Sequence, residues 1–425
     1  MSISIAPQRA LRGELTVPGD KSISHRAVML GALASGETRV SHFLSSAECL
    51  STIGCFRALG AQIRAESEEL VISGCGLHGL RSAERVLDTG NSGTTTRLLT
   101  GILAAQPFDS TVDGDASIRR RPMARILTPL AQMGARIESA EGGRCPLTVH
   151  GTALHGIDYA LPVASAQLKS CLLLAGLYAE GTTTVRERAP SRDHTERMLR
   201  AFGAEVRSQG GAVSVVKTDA LTGRHITVPG DISSAAFFLT AALILPNSEL
   251  VLRDVGINPT RTGILDVLRA MGADIALTNI RGDWEPIADI RVRSSRLRGC
   301  EISGDIIPRL IDELPILAVA AAFAEGTTVI RDAEELKHKE SNRIATMASE
   351  LAKAGAAVEE TTDGMVIHGG AALHGAAFDA YGDHRIAMSM AVCALACEGL
   401  STIDGADCVE ISYPSFFSDL KNLYK

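Results

Sequence analysis

One short phrase returns five times along this 425-residue chain, a hydrophobic residue followed by Gly-Ala. It stands at Leu59-Gly60-Ala61, Met133-Gly134-Ala135, Phe202-Gly203-Ala204, Met271-Gly272-Ala273 and Ala354-Gly355-Ala356. The glycines lie roughly 70 residues apart with one longer interval, and a fixed period of this kind marks repeated supersecondary units. Each phrase follows a helical pattern and precedes an apolar-alternating stretch, so each Gly reads as a helix C-cap leading into a strand.

A second phrase interleaves with the first: an Ala/Leu-rich helix, a Gly or Asn turn, then a Thr/Val strand. It occurs at Gly36-Glu37-Thr38, Gly181-Thr182-Thr183, Asn247-Ser248-Glu249, Gly326-Thr327-Thr328 and Gly399-Leu400-Ser401, with a weaker copy through Pro107-Phe108-Asp109. Together the two series predict an α/β (α+β) chain of six units, each strand-helix-strand-helix-strand-strand. Val-Pro-Gly-Asp occurs at Val17–Asp20 and again at Val228–Asp231, at matching points of the repeat. Turn chemistry there predicts two crossings between lobes. Residues 1–19 with 230–425 would form one lobe of three units, holding both termini, and 20–229 the other. Two such lobes, hinged by a double crossover, can close over a ligand held in the cleft between them. A doubly wound dinucleotide or nucleotide fold loses its usual support, because no G-x-G-x-x-G follows a strand and no P-loop is present.

Composition narrows the function. A 45% apolar, 21% charged chain has the makings of large globular cores. The N-terminus carries no basic stretch followed by an apolar run, and no apolar stretch reaches membrane-spanning length, so a cytoplasmic protein away from membranes is expected. Nine scattered cysteines without a CxxC pair or a Cys/His cluster predict free thiols, not disulfides or a metal site. A formal net charge of −7 argues against nucleic acid. Basic residues nevertheless gather at Lys21–Arg26, Arg119–Arg125 and Lys337–Arg343, which suits a small anionic substrate.

The motifs sit where helices begin. Gly19-Asp20-Lys21-Ser22-Ile23-Ser24-His25-Arg26 puts capping oxygens and two cations at a positive helix end, a natural anion site. Lys21 would also serve as acid or base if desolvated. Asp88-Thr89-Gly90-Asn91-Ser92-Gly93-Thr94-Thr95-Thr96-Arg97 lets backbone approach a ligand closely. Arg119-Arg120-Arg121-Pro122-Met123 sets three guanidiniums beside a rigid turn; such runs are most often solvated, though Arg suits phosphate and carboxylate. Ser165-Ala166-Gln167-Leu168-Lys169-Ser170 opens the third unit like the Lys21 motif, while Asp231-Ile232-Ser233-Ser234 opens the fourth without a cation. Asp312-Glu313-Leu314-Pro315 opens the fifth. Lys339 and Arg343, read as helical, would share a face with Glu340 beside them. In Tyr381-Gly382-Asp383-His384-Arg385-Ile386-Ala387-Met388, a His and an Arg read as the cap of an apolar helix, an unfavourable placement unless an anion offsets them.

Taken together, PGDKSISHR, GNSGTTTR, RRPM, SAQLKS, SRDHTERML, DELPILAVAAAFAEG, KESNR and GDHRIAMS, in this order over the whole chain, resemble the 5-enolpyruvylshikimate-3-phosphate synthase (3-phosphoshikimate 1-carboxyvinyltransferase) family, in its subgroup with SAQ and RDHTE motifs. The resemblance implies the enolpyruvyl transferase fold, an inside-out α/β barrel of two lobes with three βαβαββ repeats each. It implies transfer of the enolpyruvyl group of phosphoenolpyruvate to the 5-hydroxyl of shikimate 3-phosphate, by addition and elimination, with no cofactor or metal and usually as a monomer. Phosphoenolpyruvate would be held by Lys21, Asn91, Gly93, Thr94, Arg121, Arg343 and Arg385. Shikimate 3-phosphate would be held by Lys21, Ser22, Arg26, Ser165, Ala166, Gln167, Arg192, Asp312 and Lys339. Asp312 would act as base, Glu340 would protonate the methylene carbon, and Lys21 would assist.

Two departures stand out. Ile411-Ser412 precede Tyr413-Pro414 where many members have a Lys, and Leu98 stands where Pro is frequent. Gly93, where tolerant members of the subgroup carry Ala, implies sensitivity to glyphosate. The alternatives are the transferase acting on UDP-N-acetylglucosamine, which has Lys-Asn at the Lys21-Ser22 position and a reactive Cys in the Arg119–Arg121 loop, and a non-catalytic binder of small phosphorylated molecules.

Overall fold

The Gly-Ala phrases end helices for the reason their chemistry gives. In the computed structural model, which describes residues 1–425, Gly60, Gly134, Gly203, Gly272 and Gly355 have φ of +96°, +93°, +97°, +98° and +90°. In each case the next Ala N–H reaches a carbonyl five residues back, from Ala61 to Phe56 at 2.9 Å and from Ala356 to Leu351 at 3.1 Å, the closing bond of a Schellman turn. The second series needs the same left-handed backbone. Gly36, Gly181, Gly326 and Gly399 have it, and Asn247 is the non-glycine of the set, at φ +56°.

Four units have the same four-stranded topology, and the first differs only in that Leu221–Thr222 and His225–Thr227 both pair parallel with Ala34–Ser41, which makes five strands. In the third, Asp158–Ala160 runs parallel to Thr182–Arg186, which pairs antiparallel with Ala212–Val216 and through it with Val206–Gln209. Helix Ala166–Gly176 makes the parallel crossover, and His194–Ala201 leads into the hairpin. The sixth departs from the expected pattern. Its hairpin is missing, and the N-terminal strand Ile3–Ile5 pairs antiparallel with Ser401–Asp404 to complete a three-stranded sheet.

The chain divides into two compact units, 1–18 with 229–425, and 19–228. At both Val-Pro-Gly-Asp runs the opening strand is exchanged. Strand Arg12–Thr16, which precedes the first helix in sequence, pairs parallel with Glu249–Gly256 of the fourth repeat. Strand His225–Thr227, which precedes the fourth, pairs parallel with Ala34–Ser41 of the first. Gly19 is required there, because a Cβ would lie 2.1 Å from the His42 carbonyl oxygen.

No sheet closes on itself, so the barrel description is replaced by six separate open sheets. The opening helices are apolar on all sides and buried. Ile232–Ile244, Leu314–Ala322 and His384–Ala396 pack on one another inside the first unit, while strands such as Thr182–Arg186 alternate buried and exposed. In the second unit helix Gly93–Leu103 runs against Ala166–Gly176. The approach depends on Gly101, where a Cβ would lie 2.4 Å from the Cys171 carbonyl oxygen.

This crossing gives one substitution opposite signs at two glycines. Gly101→Ala drives a methyl into unyielding backbone and is expected to cost about 1–3 kcal/mol. Gly54→Ala, on the exposed side of helix Ala47–Ala58 with nothing near its Cβ, should stabilise by about 0.5–1 kcal/mol. Denaturant unfolding of both variants checks the sign, and a Gly101→Ala variant as stable as the parent would refute the close crossing.

Candidate active site

In the unit spanning 19–228, three helix starts are tied together by side chains. Asp20 caps helix Lys21–Leu33 through Ile23 N–H at 2.8 Å, Ser92 caps Gly93–Leu103 through Thr95 N–H at 3.0 Å, and Ser165 caps Ala166–Gly176 through Leu168 N–H at 3.4 Å. The first start joins the second through a hydroxyl chain. His25 Nδ1 lies 2.7 Å from Thr52 Oγ1, which lies 2.7 Å from Thr95 Oγ1, which donates to Ser92 Oγ at 2.7 Å. The first joins the third through Arg26, whose Nε donates to Thr195 Oγ1 at 2.6 Å and whose Nη2 donates to Ser170 Oγ at 2.8 Å. The second joins the third through Gln167, which accepts from Arg97 Nη1 at 2.7 Å and donates to Thr94 Oγ1 at 3.1 Å.

Positive charge gathers around this triangle. Lys21 Nζ sits 3.1 Å from Glu48 Oε1. Around Gly93, a Cβ would meet Arg97 Nη1 at 2.7 Å and Arg121 Nη1 at 3.1 Å, so two guanidiniums close over its bare Cα. Arg121 also donates to Ser117 Oγ at 3.2 Å, whereas Arg119 is drawn aside by Asp113. Asn91 and Ser22 flank the starts, and Ala166 forms the first turn of the third helix. Arg192 lies in the loop before helix His194–Ala201, half-buried. The Lys169 charge is not part of this group. Its ammonium is sealed between Glu187 and Glu196, each at 2.7 Å.

The other unit holds a second cluster, where Asp312 meets three cations. Lys339 Nζ is 3.3 Å and Arg343 Nη1 is 3.4 Å from Asp312 Oδ1, and Arg385 Nη1 donates to the Asp312 carbonyl at 2.8 Å. Arg343, almost wholly buried, also holds Glu340 Oε2 at 2.6 Å and Asp383 Oδ2 at 2.8 Å. Burial works against the Arg343 charge, but Asp383 and Glu340 outweigh it and raise its pKa. Burial likewise raises Asp383, and the Arg343 guanidinium outweighs it, leaving Asp383 below the usual carboxylate range.

Two readings of this cluster need correction. Lys339 and Glu340 are not on the helix of Arg343. Asn342 caps that helix, accepting from Ala345 N–H at 3.4 Å, so it begins at Arg343 and the two preceding side chains reach Asp312 and Arg343 from a loop. His384 and Arg385 do not cap the last opening helix either. Asp383 does, accepting from Arg385 N–H at 2.9 Å, so an acid already stands at this helix start. Glu48 and Thr52 gave no sequence signal, because they belong to no motif and are brought in only by the packing of helix Ala47–Ala58. Thr195 and Ser170 lay inside quoted motifs, but nothing in their spacing pointed to Arg26.

Six βαβαββ-derived repeats in two units, with cations and carboxylates at capped helix starts, define the enolpyruvyl transferase fold class. The family model described as EPSP synthase (3-phosphoshikimate 1-carboxyvinyltransferase) matches residues 5–420. Curated relatives named 3-phosphoshikimate 1-carboxyvinyltransferase include that of Geobacillus kaustophilus, 58% identical over 97% of this chain and 98% of its own, and that of Synechococcus sp., 59% identical over 99% and 96%. A solved EPSP synthase from Acinetobacter baumannii superposes with a TM-score of 0.90 at 46% identity, covering 100% of this chain and 98% of its own. The chain belongs to the EPSP synthase family.

His25 offers a direct electrostatic check. Its ring is buried, and burial lowers its pKa more than the nearby Glu48 raises it. A buried neutral His lets the unfolded chain take the proton first as pH falls, so its contribution to stability is complete above about 6.5 and declines below it. Nitrogen-15 NMR of the imidazole should therefore show His25 neutral at pH 6.5, and a half-protonated ring at that pH would contradict the burial.

Proposed function

We propose that this chain transfers the enolpyruvyl group of phosphoenolpyruvate to the 5-hydroxyl of shikimate 3-phosphate and releases phosphate. The observation that carries the reading is family membership over nearly the whole chain. The site chemistry supports it. Phosphoenolpyruvate brings a carboxylate and a phosphate, and Lys21, Arg121, Arg343 and Arg385 are the cations offered to them, with Asn91, Gly93 and Thr94 at a helix start. Shikimate 3-phosphate brings a phosphate and a ring of hydroxyls, for which Ser22, Arg26, Ser165, Ala166, Gln167, Arg192, Asp312 and Lys339 are the partners. Each unit carries only part of this set, so turnover would require both.

In the addition step Asp312 takes the proton of the 5-hydroxyl. Glu340 gives a proton to the methylene carbon, and the oxygen bonds to the adjacent carbon. In the elimination step a methyl proton returns to a base while the C–O bond to phosphate breaks. Lys21 and the arginines stabilise the carboxylate and the departing phosphate. The Arg343 contact keeps Glu340 close to the cations that would hold its substrate.

The transferase acting on UDP-N-acetylglucosamine is disfavoured by Cys145, the nearest cysteine downstream of Arg121. It lies buried in strand Arg144–His150, and burial pushes its thiol up to about 11, unlike a reactive thiolate.

Phosphate release from phosphoenolpyruvate, with each acceptor supplied in turn and no added metal, tests the reading. Release should depend on shikimate 3-phosphate, and release only with UDP-N-acetylglucosamine would overturn it. Glu340→Gln should lose about 10²–10⁴ in kcat while still binding both ligands by calorimetry. Gly93→Ala presses a methyl against Arg97 and Arg121, so the KM for phosphoenolpyruvate should rise about tenfold and glyphosate inhibition should weaken with it. An unchanged KM would mean that Arg121, against which the methyl presses, does not hold this substrate.

A further inference from the structure

Lys169 is among the largest fully buried side chains in the molecule, yet it is an ammonium. Its Nζ lies 2.7 Å from Glu187 Oε2, 2.7 Å from Glu196 Oε1 and 3.3 Å from the Ser191 carbonyl oxygen. Ser191 Oγ in turn donates to the other oxygen of Glu187. Burial lowers the Lys169 pKa, but Glu196 and Glu187 outweigh it and leave the amine charged. Charges sealed in this way add little to stability compared with apolar residues of similar size, so their use here calls for another role.

The three partners mark out one segment. Glu187 follows directly on the strand Thr182–Arg186, Ser191 lies in the following loop, and Glu196 sits in the first turn of helix His194–Ala201. Lys169, from helix Ala166–Gly176, therefore fastens both ends and the middle of residues 187–196. That segment carries Arg192 and Thr195. Thr195, next to Glu196, and Ser170, next to Lys169, both accept from the Arg26 guanidinium and are themselves hydrogen bonded at 2.7 Å. The same ion cluster thus fixes both acceptors that orient Arg26 and the loop that presents Arg192.

We propose that Lys169 is a positioning residue for the shikimate 3-phosphate side of the site, acting through Glu187, Ser191 and Glu196 to hold Arg192 and the Thr195–Arg26–Ser170 network in place. This rests on the acceptor reading given above. It explains why a cation stands at that helix position without serving the anion directly. It also explains the pairing of SAQLKS with RDHTERML, since the Lys of the first binds the Glu of the second.

Steady-state kinetics and amide hydrogen exchange of Lys169→Met, Lys169→Arg and Glu187→Gln test the proposal. In Lys169→Met the KM for shikimate 3-phosphate should rise about tenfold or more, with kcat and the KM for phosphoenolpyruvate within about threefold of the parent. Exchange should quicken in residues 187–196 and not in helix Gly93–Leu103. Lys169→Arg, which keeps the charge and can bridge both carboxylates, should recover most of the lost affinity. If Lys169→Met does not fold, Glu187→Gln, which keeps volume and hydrogen bonding, should show the same split at smaller magnitude. A KM for shikimate 3-phosphate within about twofold of the parent, or an equal loss in all three kinetic constants, would overturn the positioning role. If the parent releases no phosphate with shikimate 3-phosphate, the acceptor reading fails, and the exchange pattern alone decides whether Lys169 fastens the segment.

Discussion

The first turn of an α-helix leaves backbone N–H groups without partners inside the helix, and these make its start a place for negative charge. Six buried helices open the repeats of this protein, and five of them are capped by a side-chain oxygen from Asp20, Ser92, Ser165, Asp231 or Asp383. The sixth begins with Pro315 in its first turn, which has no N–H to satisfy. A cap takes one or two donors and leaves the rest for a ligand. In the unit spanning 19–228 three such starts are joined by hydrogen bonds through Thr52, Arg26 and Gln167, which fixes their relative placement within the protein itself. Preorganised donors of this kind need no rearrangement when charge develops on a substrate.

The cations around these starts are balanced unequally, and the inequality sorts their roles. Lys169 is enclosed by two carboxylates and is spent on local order. Arg343 faces Asp312, Glu340 and Asp383 at once, which fixes its orientation while it stays almost wholly buried. Lys21 has Glu48 as a close carboxylate, and Arg119 turns to Asp113. A run of three arginines that reads as one patch in sequence is thus divided, with Arg121 placed at Gly93 and Arg119 drawn away from it.

How far the sequence could be read follows from how local each feature is. The Gly-Ala phrases were legible because a left-handed residue followed by a bond five residues back is settled within one turn of chain. The Val-Pro-Gly-Asp runs were legible as crossings, yet the exchange of opening strands was not, because strand partners lie more than 180 residues apart in the register of His225–Thr227 with Arg39–Ser41. The shared helical face assigned to Lys339 and Arg343 failed because Asn342 between them is the cap, while Ser341 turns its hydroxyl to Asp383, so the helix begins only at Arg343. The capping role given to His384 and Arg385 failed for a similar reason, since the carboxylate of Asp383 competes for the same N–H groups and wins.

The sequence by itself determined the number and order of the repeats, the helix ends, the places where anion-binding motifs begin and the family to which those motifs point. These depend on short-range backbone preferences and on residue identity, which no distant contact has to supply. Only the tertiary structure decided which cations remain for a substrate and which are consumed by protein carboxylates. Glu187 reaches Lys169 across 18 positions and withdraws it, while Asp113 draws Arg119 aside and leaves Arg121 at Gly93. Electrostatic balance at a buried site is set by distance and dielectric, and neither is written in residue order.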